Sequence, residues 1–115
     1  MNAALVPALK QLAEAGGSWC LNLSVGEAEP FWMQVLPDCV NFYYPYDDDP
    51  LARLRLPLPL PPETNLLGFQ AGTYATLGFG AWNMDRVAAL VDALLARFYG
   101  LPDDQPLTAA LEDLG

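Results

Sequence analysis

Between residues 53 and 61 the chain runs Arg-Leu-Arg-Leu-Pro-Leu-Pro-Leu-Pro, with leucine at every even position and proline at three successive odd ones. In an extended strand the backbone groups alternate as the side chains do, so Pro57, Pro59 and Pro61 all withhold an N–H from the same edge. The opposite edge keeps its donors and acceptors, and Leu54, Leu56, Leu58 and Leu60 share one face. The pattern predicts an edge strand, sealed on its outer side against further strand addition. Residues 56–61 have one competing form, a polyproline II segment offered to an SH3-like partner, and burial of the leucines separates the two. If the edge is sealed, a partner must use a face, a helix or the other edge.

With 115 residues, 53% of them hydrophobic and 17% charged, the chain has material for one core and not two. A single domain over 1–115 is expected. Fourteen acidic against five basic residues give a net charge of -9, which argues against nucleic acid and anionic membrane surfaces as partners and would suit a basic protein. No stretch approaches the roughly 20 apolar residues of a membrane span. The N-terminus lacks the basic and apolar regions of a secretory signal, so a cytoplasmic location is expected.

Period-two alternation marks three strands. Trp19, Leu21, Leu23 and Val25 share one face of 18–25; Phe31, Met33 and Val35 face inward in 31–36; Val40, Phe42 and Tyr44 do so in 39–44. Short turns at 26–30 and at Pro37-Asp38 make them an antiparallel meander. Before them, Leu5, Leu9 and Leu12 predict a helix from about Val6 that stops at Gly16-Gly17. After them, a helical turn is expected over 50–53. Residues 67–79 predict one or two glycine-weakened strands bent near Gly72, with a helix over 65–71 as the alternative. Asn83 opens the strongest helix, whose apolar stripe runs from Met84 through Val87, Leu90, Val91, Leu94 and Leu95 to Phe98 and ends at Gly100. A last short helix is expected after Pro106, carrying Leu107 and Leu111. The fold class is α+β: an antiparallel sheet, meander plus proline-rich edge strand, packed in two layers against N- and C-terminal helices.

Reactive chemistry finds little support. The chain has no histidine, which removes the usual general base and most zinc sites. Asp47-Asp48-Asp49 lacks the glycine and distant glutamate of a calcium loop, the glycines at 68, 72, 78 and 80 fit no phosphate-binding spacing, and neither Cys20 nor Cys39 has metal-site spacing or a neighbouring cation. No enzyme, cofactor or metal is expected, and whether the two cysteines bridge stays open.

Surplus apolar surface is the better clue. The second strand is apolar on both faces, since Trp32 and Leu36 lie opposite Phe31, Met33 and Val35, and Tyr43 adds to that second face. Trp32, Leu36, Tyr43, Tyr46 and Trp82 form the expected partner-binding set, for another protein or a second copy of this chain. The competing expectation is that the first helix and the loop after Tyr46 cover that face.

The order of elements resembles the type III secretion chaperone-like fold, including its YbjN-like members. The residues that carry the likeness are the leucine helix before Gly16-Gly17, the three meander strands, Leu58-Pro59-Leu60-Pro61-Pro62-Glu63 leading into Asn65-Leu66-Leu67, residues 73–80, and the helix ending Leu94-Leu95-Ala96-Arg97-Phe98. The chain departs from that fold where a middle helix should separate the third and fourth strands. The resemblance implies a non-enzymatic protein that binds another polypeptide, often as a homodimer. An acidic inhibitor or immunity-type protein that blocks a basic target is the alternative, and a small-ligand pocket between helix and sheet is a weaker one.

Overall fold

Alternating apolar residues in the first half of the chain can bury one face only if the strands pair in register, and they do. The computed structural model describes residues 2–25, 31–55, 60 and 64–114. Strands β1 (Trp19–Ser24), β2 (Trp32–Val35) and β3 (Cys39–Tyr43) form the expected meander, with Leu21 opposite Val35 and Met33 opposite Phe42. The Leu36 N–H donates to the Cys39 carbonyl at 2.8 Å, closing the turn at Pro37-Asp38. Leu21, Leu23, Met33, Val35, Val40 and Phe42 are all buried on one side.

Strands β4 (Asn65–Gln70) and β5 (Tyr74–Gly78) make a hairpin whose turn needs Gly72, at φ 72°. A bulge between Leu66 and Gly68 bends β4, and the pairing from Asn65–Gly78 to Gln70–Tyr74 overrules a helix over 65–71. Because β5 also pairs with β3, the hairpin extends the meander.

One helical layer covers the buried face. Helix α1 (Leu5–Ala15) presses Leu5, Ala8, Leu9 and Leu12 into the core, and Gly16 at φ 66° returns its N–H to the Leu12 carbonyl. Helix α3 (Met84–Ala93) is capped as expected by Asn83, whose side chain accepts from the Arg86 N–H at 3.1 Å. Its last turn widens into a π-helical turn, Leu94–Phe98, in which the Tyr99 N–H reaches the Leu94 carbonyl at 3.0 Å. Val87, Leu90, Val91, Leu94 and Leu95 join the sheet's inner face in one core. The architecture is α+β.

Two expectations fail. Arg53, Leu54 and Arg55 belong to helix α2 (Pro50–Arg55), not to an edge strand. Asp49 decides it: its carbonyl accepts from the Arg53 N–H, its side chain accepts from the Leu51 N–H, and Pro50 suits a first helical turn. Leu54 is fully buried from that helix. Leu60 is half-buried against the core, while 56–59 and 61–63, with Pro57, Pro59 and Pro61, lie outside the described residues. The sealed edge is therefore not among the described strands.

The segment after Pro106 is likewise no helix. It forms β6 (Thr108–Asp113), paired antiparallel with the free edge of β1 from Trp19–Asp113 to Ser24–Thr108. The spacing of Leu107 and Leu111 fits a helix locally, but an unpaired β1 edge offers a full ladder of backbone partners, and that tertiary gain wins. Among the described residues the sheet has the order β4-β5-β3-β2-β1-β6, with β4 and β6 at its edges.

Candidate functional site

Strand alternation also dictates what the other face of the sheet carries. Asn22, Gln34, Asn41 and Thr76 stand opposite one another across four adjacent strands, in a transverse polar row. Asn22 donates to Glu112 on β6 at 2.9 Å, Asn41 donates to Gln34 at 3.4 Å, and the Thr76 hydroxyl donates to Asn41. One step along the strands lies an aromatic row. Tyr43 stands opposite Tyr74, and continuing the β2–β3 register sets Trp32 opposite Tyr43. Three neighbouring rings thus border a band of amides.

All the helical segments in the core cluster press on the other face, so among the described residues no helix covers these rows. Trp32 is 36% exposed. Charge is segregated with equal clarity: Lys10, Arg53, Arg55, Arg86 and Arg97, the five basic residues of the chain, all sit on α1, α2, α3 or the π-helical turn. No described strand carries a cation, whereas Glu112 lies on the open face.

Cys20 and Cys39 also face this side, on β1 and β3 with β2 between them. Strands two apart are separated by about 9.6 Å, beyond the roughly 7 Å limit for a disulfide. Both are free. Burial, and then Glu112, push the Cys20 thiol up, while burial and then the neighbouring Asp38 push Cys39 up to about 11. Neither supplies a thiolate near neutral pH.

A second feature lies at the end of β3. Phe31, Tyr46, Phe98 and Tyr99 wall a half-open cavity of about 130 Å³, which Pro45, Leu101 and the end of β3 at Tyr43 also line. The π-helical turn positions Phe98 and Tyr99, and the Tyr99 hydroxyl donates to the Tyr43 carbonyl at 2.6 Å. Burial, and then Tyr43, push that phenol up, so it stays a neutral donor. Beside the cavity, the Arg53 guanidinium lies 3.7 Å from the centre of the Tyr46 ring and donates to Asp48 at 2.9 Å. Tyr44 donates to the same carboxylate at 2.7 Å. Arg53, and then Tyr44, hold Asp48 below its ordinary range, while burial and then Asp48 push Tyr44 up to about 12. Asp48 and Asp49 are thus committed within the chain, and among the described residues no cluster of three or more cysteine, aspartate or glutamate side chains could hold a metal.

The five residues expected to meet a partner do not form one patch. Trp32 and Tyr43 adjoin on the open face, and Leu36 lies past the polar row, beside Cys39. Tyr46 belongs to the aromatic cavity. Trp82 packs against Phe79, with ring centres 6.3 Å apart, and walls a separate apolar cavity with Leu12, Ala13 and Pro37. Sequence reasoning left out Tyr74, whose phase opposite to Ala75 and Leu77 was the available signal. It also left out Phe31, Phe98 and Tyr99, which no local pattern connects. Compared with known proteins, the chain matches no family model, no curated protein and no solved structure. Among the described residues no helix is long and apolar enough to cross a membrane.

Proposed function

We propose that this protein is a non-enzymatic polypeptide-binding module, chaperone-like or regulatory, whose open sheet face receives a basic segment of another protein. One observation carries the proposal: a face, free of helices among the described residues, on which Trp32, Tyr43 and Tyr74 adjoin a row of amides, with every lysine and arginine of the chain on a helical segment. Rings supply contact area at low entropic cost, amides supply adaptable hydrogen bonds, and a face without cations, with Glu112 beside it in a chain of net charge -9, does not repel positive charge. The order helix, meander, short helix, hairpin and closing helix is in keeping with the resemblance to the type III secretion chaperone-like fold, with β6 as an addition to it.

The test is a heteronuclear NMR titration with two peptides, one alternating Lys and Leu and the other alternating Glu and Leu. Only the basic peptide should shift the Trp32 indole and the side-chain amides of Asn22, Gln34 and Asn41, and added salt should weaken it. Equal shifts with both peptides, or shifts confined to the helices, would sink the proposal. Self-association across the same face is the second reading, favoured because among the described residues neither the polar nor the aromatic row carries a charge and Glu112 lies beside them, which leaves little repulsion between two copies. Light scattering that finds a strict monomer removes it.

A further inference from the structure

We infer that the aromatic cavity between the end of β3 and the π-helical turn binds a cationic head group, the ammonium or guanidinium of a basic side chain on the bound polypeptide. The partner's identity rests on the polypeptide-binding proposal; the cavity's preference for a cation does not.

Four observations converge on it. The walls are rings set at steep angles: Phe31 and Tyr99 meet at 84° with centres 4.6 Å apart, Phe98 and Tyr99 at 67° and 4.9 Å, Tyr46 and Phe98 at 65° and 6.0 Å. Rings inclined in this way pack edge to face, and all four line the one cavity, the type of side chain that surrounds an organic cation. Next, no lysine or arginine lines the cavity, and the charge of Arg53 beside it is offset by its pairing with Asp48. Third, the chain already satisfies one cation with the same chemistry, because Arg53 rests on the Tyr46 ring while its guanidinium meets the Asp48 carboxylate. Last, the wall is made by a π-helical turn, a rare local geometry that recurs at functional sites. The cavity of about 130 Å³ suits one small head group. By contrast, the cavity beside Trp82 has a single ring and largely aliphatic walls, so it lacks this chemistry.

The probes are choline and its neutral isostere 3,3-dimethylbutan-1-ol, followed by NMR of the aromatic side chains. Choline should shift the Phe31, Tyr46, Phe98 and Tyr99 ring signals saturably, and the neutral alcohol should bind at least about tenfold more weakly, because it has the same shape without the charge. Phe98→Leu, which keeps apolar bulk and removes a π face, should weaken choline by about tenfold. Tyr46→Leu does the same at a 39% exposed position and serves if Phe98→Leu fails to fold. Equal binding of choline and the alcohol, or none of either, overturns the cation site.

A Lys-Leu peptide should shift the same rings, and its counterpart with norleucine for lysine should not. If choline binds but the lysine peptide shifts only the open sheet face, the cavity does not serve that partner and this inference falls while the polypeptide proposal stands. If choline binds and the peptide shifts nothing, the polypeptide proposal falls and the cavity remains a site for a free organic cation.

Discussion

The two faces of the sheet are built from the same strands by the same alternation, yet they solve opposite problems. Leu21, Leu23, Met33, Val35, Val40, Phe42, Ala75 and Leu77 fill the covered face and are at most 1% exposed. One residue away along each strand stand Asn22, Gln34, Asn41 and Thr76, which bond to one another or to Glu112 across strands, and Trp32, Tyr43 and Tyr74, which bond to nothing described in that row. Apolar burial on the first face is worth about 1.5–3 kcal/mol per large side chain, whereas a hydrogen bond on the second nets about 1 kcal/mol. Stability is therefore concentrated on one side. The other side is free to carry a chemical pattern, because changes there cost the fold little.

Substitutions that weigh the faces against each other should follow that order. Phe42→Ala empties a fully buried site lined by Tyr44 and Phe98, with ring centres 6.4 and 5.9 Å away, and should cost about 3–5 kcal/mol in urea unfolding. A cost under about 1 kcal/mol would show that the core collapses around the gap, contrary to its packing. Asn41→Ala on the open face strands Gln34 and Thr76 without a partner and should cost about 1–2 kcal/mol, with the urea slope unchanged. A larger loss than for Phe42→Ala would reverse the comparison.

Alkaline titration separates the faces by a third route. Cys39 on the open face is raised from 9.0 to about 11, and Tyr44 on the covered side from 10.0 to about 12. Both groups keep their protons longer in the folded state than in the unfolded one. Their contributions are thus complete below pH 9.0 and 10.0 and are lost as pH climbs to about 11 and about 12 respectively. Cys20 and Tyr99 are raised as well, so stability should fall progressively across that window. Cys39→Ser should lessen the early part of the fall, leaving the share of Cys20, and should not change the later part.

How much of this the sequence revealed depended on how local the cause was. The meander was legible because period two in 18–25, 31–36 and 39–44 needs no distant partner to be recognised, and α3 was legible because Asn83, its stripe and Gly100 lie within one window. The strand β6 was not, since nothing between Pro106 and Leu114 announces that the β1 edge will be free to pair with it. The leucine alternation at 53–55 misled for the reverse reason: the helical turn over 50–53 was local and expected, but period two from Arg53 onward hid its continuation through Arg55. At the candidate site, Trp32 and Tyr43 followed from a strand apolar on both faces. The aromatic cavity did not, because it joins Phe31 and Tyr46 to Phe98 and Tyr99 across the length of the domain through a π-helical turn that no periodicity marks.

The smallest expected change in stability is also the most informative about function. Trp32 and Met33 are neighbours in the chain and face opposite sides: Met33 is 1% exposed, Trp32 36%. Trp32→Ala removes a ring from the aromatic row but opens no closed cavity, so it should cost about 1 kcal/mol or less, the scale of a cross-strand pair. If the open face is the binding surface, the same substitution should weaken the basic peptide by at least about tenfold, as truncating a central aromatic anchor does. The pair of measurements is decisive because the two effects run in opposite proportion. A residue that merely completes the fold loses stability and binding together, through a smaller folded population. A residue that contacts the partner loses binding while the unfolding midpoint hardly moves. A large stability loss from Trp32→Ala with peptide affinity unchanged in the folded fraction would assign that face to the core, and the division between the two sides of the sheet would have to be redrawn.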